Sequence, residues 1–287
     1  MNQFQVFTGL KRIWKKIPLV IRAIISGFLV STIGVFTWVL AATFIPGPWL
    51  FPVMIILLWL YLRYFSGSWA PGSTAQSRKM SFRKVKLTGR VWKWSIIAGL
   101  LIVLFEQSGL VVTFRIIEFP ADRFLEEYSF LGNIPVWMAW GVIFFTSAVA
   151  GICEETGFRG YMQLPIEKKY GPVTAIVIVS VVFVIVHLHQ AWAGPIIFQI
   201  FLISVTFGLL AYYTGSLIPG IISHTIMDIC NFSFWWSDLG KQFNEQPISK
   251  VGIDLNFLYW SLIFLLSIVL LALVFYNLSL EKARQPG

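Results

Sequence analysis

Residues 255–276 read LNFLYWSLIFLLSIVLLALVFY and contain no charged side chain. A helix needs roughly 20 apolar residues to cross a hydrocarbon layer of about 30 Å, so this stretch is long enough to cross a membrane. The whole chain has the same character, because 57% of its 287 residues are hydrophobic and only 12% are charged. Soluble globular domains of this size do not show that balance. The sequence therefore predicts an integral membrane protein.

Further apolar stretches predict more membrane-spanning helices, which together give an all-α polytopic bundle of about eight transmembrane helices. Each stretch holds no more than a few charged residues. Besides the last stretch, the predicted spans are Val20 to Ile45, Trp49 to Phe65, Val91 to Ile117, Ile134 to the region of Glu154, Pro172 to Leu188, Pro195 to Tyr213, and Leu217 to Trp235.

Basic residues lie mainly at one end of the predicted spans, in a chain with a formal net charge of +9. The connections at the opposite end hold only Arg123, Lys241 and Lys250, and the one after the third span is acidic. By the positive-inside rule, this distribution predicts that both termini are cytoplasmic, in a prokaryotic inner membrane. It predicts contact with a lipid bilayer and not with nucleic acid. The basic residues of the predicted cytoplasmic side are Lys11, Arg12, Lys15, Lys16, Arg22, Arg63, Arg78, Lys79, Arg83, Lys84, Lys86, Arg90, Lys93, Lys168, Lys169, Lys282 and Arg284.

Several ionisable side chains fall inside the predicted spans. Each costs about 2.5 to 3.5 kcal/mol to place at the bilayer centre on insertion scales, so each is a functional candidate. They are Glu106, Glu154, Glu155, Arg159, His187, His224 and Asp228. All except Glu106 lie between Gly151 and Phe232, and this stretch therefore carries most of the candidate chemistry.

The turn at Gly171-Pro172 predicts a helical hairpin that brings two of these groups together. Glu154 lies 17 residues before Gly171, and His187 lies 16 residues after it. At 1.5 Å per residue, both side chains reach roughly 24 Å from the turn. We expect a carboxylate and an imidazole at the same depth, provided that the span remains helical to about Lys168 in spite of Pro165.

Glu155 and Arg159 are four residues apart and share a helix face, so they predict a buried ion pair. The neighbouring Glu154 points about 100° away on an α-helix. We interpret Glu155 as structural and Glu154 as the carboxylate that is free for chemistry. The reverse assignment is one alternative, and a buried ion network without catalysis is another.

Two more pairs share a helix face at the same spacing. Phe183 is expected to cover His187 and limit the water around its imidazole. Asp228 is expected to contact His224, which would fix the tautomer of the ring and raise its basicity. The alternative for the second pair is a hydrogen-bonded contact that only joins helices.

Four other polar or sulfur-containing residues are assigned no chemistry. Glu106 is interpreted as a packing or kink residue, and His189 as an interfacial residue turned away from the face of His187. Cys153 and Cys230 lie in apolar segments without a CxxC partner, so we interpret them as packing residues.

A carboxylate and two imidazoles that converge inside a bilayer can perform hydrolysis. They supply a general base, a group that positions water and a group that stabilises an oxyanion. In this hypothesis Glu154 takes a proton from a water molecule held by His187. The resulting hydroxide attacks a peptide carbonyl, and His224 stabilises the oxyanion.

The three motifs that carry these residues resemble the CPBP family of intramembrane proteases, which joins CAAX proteases with bacteriocin-processing (Abi-type) proteins. The resemblance covers roughly residues 137–234 and implies a glutamate-dependent endopeptidase similar to CAAX prenyl protease 2. It implies that Glu154 and His187 activate water, that His224 and Asp228 form the oxyanion hole, and that the helices enclose a cavity. The motifs are Glu154-Glu155-x-x-x-Arg159, Phe183-x-x-x-His187 and His224-x-x-x-Asp228, and the sequence Phe158-Arg159-Gly160-Tyr161 and the basic turn before Gly171 also look like that family.

The resemblance and the spans together predict three regions. Residues 1–130 are expected to form N-terminal transmembrane helices with a basic cytoplasmic loop at residues 66–90. Residues 131–236 are expected to form the CPBP-like catalytic core, with Glu155, Arg159 and Phe183 as supporting residues. Residues 237–287 are expected to form a polar connection and the last transmembrane helix.

One position departs from the family's eukaryotic pattern, in which the last motif ends in Asn and not in Asp228. An ionised Asp would repel an oxyanion, so Asp228 is either protonated or only orients His224. Two His and a carboxylate could also hold zinc, although no HExxH spacing is present. We expect no cofactor, and a metal-dependent protease is the alternative.

The expected substrate is a membrane-associated peptide or protein, which need not be prenylated. Two other classes of protein are alternatives. A non-proteolytic immunity or scaffold protein would keep the fold and use the buried charges to bind partners. A transporter would use Glu154, Glu155 and Arg159 as a relay and would show repeated halves, which the sequence lacks.

Overall fold

The computed structural model describes residues 13–118, 129, 131–190, 194–236 and 246–284. Within these ranges all regular structure is helical, as predicted. The helices are α1 (Leu19–Phe44), α2 (Leu50–Phe65), α3 (Gly72–Ser81), α4 (Gly89–Ile116), α5 (Val136–Tyr170), α6 (Pro172–Val186), α7 (Gly194–Thr214), α8 (Ile218–Trp236), α9 (Ile248–Val251) and α10 (Leu255–Ala283), with short 3₁₀ turns at Gly47–Trp49 and Leu188–Gln190.

The prediction of a polytopic helical membrane protein is confirmed. Six of the described helices are long and apolar enough to cross a membrane, namely α1, α2 with its preceding 3₁₀ turn, α4, α5, α7 and α10. Helix α6 is apolar but has only 15 residues. Helix α8 has 19 residues and carries the polar side chains of His224 and Asp228. These two elements account for the difference from the eight predicted spans.

Helix α5 remains helical through Gly157, Gly160 and Pro165, as the hairpin argument requires. Its first part (Val136–Glu154) is α-helical, the stretch Glu155–Gln163 is π-helical, and Leu164–Tyr170 returns to α-helix. π-Helical turns are rare and occur often at functional sites. Gly171 then adopts φ +86°, a conformation that favours glycine, and the chain reverses into α6.

The basic connection at residues 66–90 is more ordered than a polar loop. It contains α3, and the buried Arg78 guanidinium donates hydrogen bonds to the backbone carbonyls of Tyr64, Trp69 and Pro71. Arg83 donates to the carboxylate of Glu167 at 2.8 Å. Charged side chains of this connection therefore fasten it to α2 and α5.

The opposite end of the bundle is joined by ion pairs between separate helices. Arg115 at the end of α4 donates to Asp254 at 2.9 and 3.1 Å, and Lys250 lies 3.0 Å from Glu118. Arg123, Lys241 and the acidic residues Asp122, Glu126 and Glu127 lie outside the described residues.

Close helix contacts hold α1 against the π-helical stretch of α5. A Cβ atom added at Gly27 would lie 2.6 Å from the carbonyl oxygen of Gly157 and 2.6 Å from Cβ of Met162. Small residues that let helix backbones approach are typical of contacts between membrane helices. A larger residue in place of Gly27 would push α1 away from the segment of α5 that begins at Glu155. The hydropathy of the sequence does not reveal this requirement for glycine.

We predict that Gly27→Val destabilises the protein, because the added side chain would collide with the backbone of α5. Overpacking of this kind costs about 1–3 kcal/mol. Thermal unfolding in detergent should show a lower midpoint for Gly27→Val than for Gly89→Ala, where an added Cβ meets no atom within 4 Å. Equal midpoints for the two variants would contradict the close contact.

Candidate active site

The three sequence motifs meet at one cavity of about 550 Å³. Helices α1, α4, α5, α6, α7 and α8 all contribute to its walls, which are mostly apolar. The ionisable or amide side chains that line it are those of Glu106, Glu154, His187, His189, His224, Asp228 and Asn231. The cavity thus collects carboxylates and imidazoles from separate helices in an apolar enclosure.

Glu154 and His187 face each other across the hairpin of α5 and α6. Glu154 Oε2 lies 3.7 Å from His187 Nε2, and the side chains are 14% and 16% exposed. The predicted matching depth of the two groups is therefore confirmed. A separation of 3.7 Å is too long for a direct hydrogen bond, but it allows one water molecule to contact both atoms.

The orientation of the His187 ring is fixed by its own helix. His187 follows the last residue of α6, and Nδ1 donates to the carbonyl oxygen of Phe183 at 2.8 Å. The ring also stacks on Phe183, with 4.1 Å between centroids. Because a carbonyl oxygen only accepts, Nδ1 carries a proton, and in the neutral ring Nε2 has its lone pair free toward Glu154.

Glu155 forms the most deeply buried polar contact of the site. Its Oε1 lies 3.1 Å from Arg159 Nη1, and Glu155 and Arg159 are both fully buried. The predicted ion pair is therefore present. The same Oε1 accepts a hydrogen bond from Nδ1 of His224 at 3.0 Å, a contact between α5 and α8 that the sequence analysis missed.

The Arg159 guanidinium is enclosed by aromatic rings and a serine. Its Nη2 donates to the backbone carbonyl and the hydroxyl of Ser204, both at 3.2 Å. Its central carbon lies 4.8 Å from the ring centroid of Phe183 and 5.5 Å from that of Phe207. Aromatic faces attract a cation within about 6 Å, so these rings help to compensate its lost hydration.

His224 is held more firmly by Glu155 than by its predicted partner Asp228. The distance from His224 Nε2 to Asp228 Oδ2 is 3.7 Å, longer than a hydrogen bond. Phe207 stacks on the ring with 4.8 Å between centroids. Glu155 therefore orients His224, and Nε2 faces the part of the cavity that Asp228 lines.

Glu106 and His189 both line the cavity, although the sequence analysis gave neither residue a chemical role. Glu106 accepts a hydrogen bond from Nε2 of Gln199 at 3.1 Å and shares the cavity with Asp228. His189 also lines it, and its ring lies 6.2 Å from the ring of His187. The expectation that His189 turns away from His187 is wrong, because a 3₁₀ turn follows α6 and changes the direction of the chain.

Metal ligation and cysteine chemistry have little support in the geometry. Across the described parts of the chain, no three His, Cys, Asp or Glu side chains form a group that could hold a metal ion. Cys153 is buried and Cys230 is half-buried, and neither is in a disulfide. The ionisable groups among the described residues that line the cavity are carboxylates and imidazoles.

Comparison with known proteins supports the family resemblance. Residues 135–230 match the family model described as Type II CAAX prenyl endopeptidase Rce1-like. The family resemblance is confirmed. The matched segment, a third of the chain, includes Glu154, Arg159, His187, His224 and Asp228, and it supports a CAAX-type intramembrane endopeptidase in general terms. No curated protein and no solved structure matches the chain.

We predict that Arg159→Met destabilises the protein strongly, because Glu155 would keep its buried charge without the guanidinium. Removing one partner of a buried ion pair costs about 3–5 kcal/mol. The thermal midpoint in detergent should fall clearly, and adding Glu155→Gln to the variant should recover part of the loss. The control is Lys250→Met, which breaks the exposed pair with Glu118 and should change stability by about 0–1 kcal/mol. An unchanged midpoint for Arg159→Met would show that the buried pair does not stabilise the fold.

Proposed function

We propose that the protein is an intramembrane endopeptidase that hydrolyses peptide bonds of membrane-associated substrates. The observation that carries the proposal is the placement of Glu154 Oε2 3.7 Å from His187 Nε2 on the wall of a largely apolar cavity. The match to CAAX prenyl endopeptidases supports the same class of reaction. A peptide segment can be accommodated in about 550 Å³ only in part, so the cavity would receive the residues around the scissile bond.

Glu154 and His187 activate the water molecule. A water molecule between them donates one hydrogen bond to the Glu154 carboxylate and one to Nε2 of His187. Glu154 takes a proton from this water as its oxygen attacks the carbonyl carbon of the peptide bond. The ring cannot turn away during the attack, because Nδ1 is bound to the carbonyl of Phe183 and the ring is stacked on Phe183.

His224 stabilises the oxyanion. The attack moves the electrons of the carbonyl double bond onto oxygen, and a donor must face that oxygen. With Nδ1 bound to Glu155, a proton on Nε2 gives an imidazolium, whose charge the Glu155 carboxylate supports. Glu154 then passes its proton to the nitrogen of the leaving amine as the carbon–nitrogen bond breaks, which returns the carboxylate to its starting form.

Asp228 can assist His224 in two ways, which depend on whether the carboxyl group of Asp228 is ionised or neutral. As a carboxylate near Nε2 it would hold the imidazolium but oppose a nearby oxyanion, whereas as a neutral acid it would donate a second hydrogen bond. Burial in the largely apolar cavity favours the neutral acid, whereas the charge of a His224 imidazolium favours the carboxylate. The proposal therefore assigns Asp228 to the oxyanion side of the cavity.

We predict that Glu154→Gln abolishes cleavage without unfolding the protein, because the amide cannot accept a proton from water. Loss of a general base lowers the rate by about 10²–10⁴-fold. The measurement is a comparison of membrane peptides from cells that carry the wild type or the variant. Glu118→Gln, a change at an exposed carboxylate outside the cavity, is the matched control.

The rival reading, a non-proteolytic scaffold with the same fold, makes the opposite prediction for this comparison. In that case the membrane peptides would be identical in the wild type, Glu154→Gln and Glu118→Gln. Such a result, with the Glu154→Gln protein folded and present at normal amounts, would contradict the proposed endopeptidase.

We also predict that Asp228→Asn keeps most of the cleavage activity, whereas Asp228→Leu loses it. Asn has the same shape as Asp, cannot ionise, and can donate to an oxyanion. A KM and kcat measurement on a cleaved membrane peptide would place the loss of Asp228→Leu in kcat, since the contact forms with the oxyanion and not with the ground-state carbonyl. If Asp228→Asn were as inactive as Asp228→Leu, the ionised carboxylate would be the working form.

A further inference from the structure

We infer that Glu106 selects substrates by binding the positively charged side chain of a Lys or Arg that lies close to the scissile bond. Glu106 belongs to α4, which precedes the segment matched by the family model, so the match assigns this residue no role. The inference names a class of substrate, and in that respect it rests on the proposed endopeptidase function. Its support comes from the way the carboxylate is held, the charge of the cavity wall, and nearby acceptor atoms that lack a donor.

The carboxylate of Glu106 is held in place at the cavity wall. Nε2 of Gln199 on α7 donates to Glu106 Oε2 at 3.1 Å, and Gln199 is only 5% exposed. Gly109, on the next turn of α4, leaves the space that this amide occupies, because an added Cβ would lie 2.4 Å from Gln199 Nε2. A buried amide thus fixes a carboxylate inside an apolar span, where an ionisable group is costly. The amide supplies a donor but no compensating charge.

The wall of the cavity carries carboxylates without a matching cation. Glu106, Glu154 and Asp228 line it together with three imidazoles, whereas no Lys or Arg of the described residues does. In the proposed mechanism His224 bears one positive charge. Two ionised carboxylates, Glu106 and Glu154, then leave one negative charge unbalanced, and an ionised Asp228 makes it two. A Lys or Arg of the substrate supplies the missing charge, and the apolar walls strengthen its attraction to Glu106.

Helices α4 and α8 run side by side in the same direction. Helix α4 begins at the end of the basic connection of residues 66–90. Arg83 of that connection donates to the carbonyl of Ala211 in the last turn of α7, just before α8 begins. Further along, the two helices are in close contact, since a Cβ added at Gly99 would lie 2.4 Å from Ser223 Oγ. This contact gives a common reference level for the residues that follow on both helices.

Glu106 lies at nearly the same level as the part of the cavity that Asp228 lines. It is seven residues beyond the contact on α4, while Asp228 and Asn231 are five and eight residues beyond it on α8. At about 1.5 Å per residue, the levels of the three residues differ by no more than about 5 Å. Glu106 also interacts electrostatically with both Asp228 and His224. A substrate side chain bound at Glu106 therefore belongs to a residue close to the carbonyl group that His224 contacts.

Asn231 supplies a second acceptor on the same wall. It lines the cavity, and its Oδ1 is buried without a hydrogen-bond partner among the described residues. In the same part of the chain, Glu106 Oε1 accepts no hydrogen bond either. An ammonium group has three donors and a guanidinium has five, so a bound Lys or Arg has donors for both oxygens. An apolar side chain of the same length would leave both oxygens unpaired, which disfavours its binding.

The test compares the binding of paired peptides to a protein that cannot cleave them. The probes are short N-acylated peptides of Leu and Ala that carry one Lys, placed at each position in turn. Each has a counterpart with norleucine, which keeps the methylene chain of Lys but lacks its charge. The protein is the full chain with Glu154→Gln in lipid nanodiscs, and the Kd is measured by fluorescence anisotropy.

We expect the best-placed Lys peptide to bind at least about tenfold more tightly than its norleucine counterpart, because a desolvated charge pair forms only with Lys. Adding Glu106→Gln should remove this preference. Adding Glu118→Gln, a change at an exposed carboxylate outside the cavity, should leave it intact. Equal binding of both peptides at every position, or a preference that survives Glu106→Gln and is lost in Asp228→Asn, would overturn the inference.

Two further measurements keep the test decisive if Glu106→Gln does not fold. Glu106→Met, which places an apolar side chain of similar length in the span, should also remove the preference for Lys. A peptide with Glu at the best Lys position should bind the Glu154→Gln protein more weakly than the norleucine peptide, because the carboxylates repel each other. Binding of the Glu peptide as tight as that of the Lys peptide would contradict recognition by a carboxylate.

Binding requires no cleavage, so the two proposals fail separately. If the preference for Lys depends on Glu106 but Glu154→Gln leaves the membrane peptides of cells unchanged, the cavity binds cationic peptides without the proposed activity. If Glu154→Gln abolishes cleavage but the Lys and norleucine peptides bind equally, the protein is an endopeptidase in which Glu106 does not select the substrate.

Discussion

The shared contact of Glu155 with Arg159 and His224 is the interaction on which the site depends. A carboxylate and a guanidinium that are both fully buried would be unstable alone in an apolar bundle. The hydrogen bond from His224 and the aromatic rings of Phe183 and Phe207 around Arg159 complete the environment of the pair. Since these partners come from α5, α6, α7 and α8, satisfying one buried charge pair fixes the relative positions of four helices.

Two adjacent carboxylates lie where α5 changes from α-helix to π-helix, and they face different surroundings. Glu154 is the last residue of the α-helical part and Glu155 is the first of the π-helical part. Glu154 faces the cavity and His187, while Glu155 faces the packed interior. Two neighbouring carboxylates in apolar surroundings would repel each other, and here one of them is neutralised by Arg159 while the other lines the cavity.

Sequence reasoning succeeded where the geometry depends on one helix or one hairpin. The helical spans follow from hydropathy, because a chain in lipid must satisfy its backbone hydrogen bonds within each helix. The proximity of Glu154 and His187 follows from their distances to a single turn. The contact between Glu155 and His224 could not be predicted in the same way, because 69 residues separate them and their proximity depends on how α5 packs against α8. Glu106 is a carboxylate in an apolar span, and this pattern already marks it as a functional candidate. Its place on the cavity wall could not be predicted, because it depends on the rotation of α4 against α7 and α8.

A buried polar network lies between the cavity and the basic turn of the bundle. The proposed hydrolysis requires water at Glu154, yet a water-filled path through the whole protein would let ions cross. Arg159, Gln163 and Glu167 continue along α5 from the site toward the basic turn before Gly171, and each is bound to groups on another segment. These bonds tie α5 to α7 and to the basic connection of residues 66–90, so polar contacts as well as apolar packing hold this part of the bundle together.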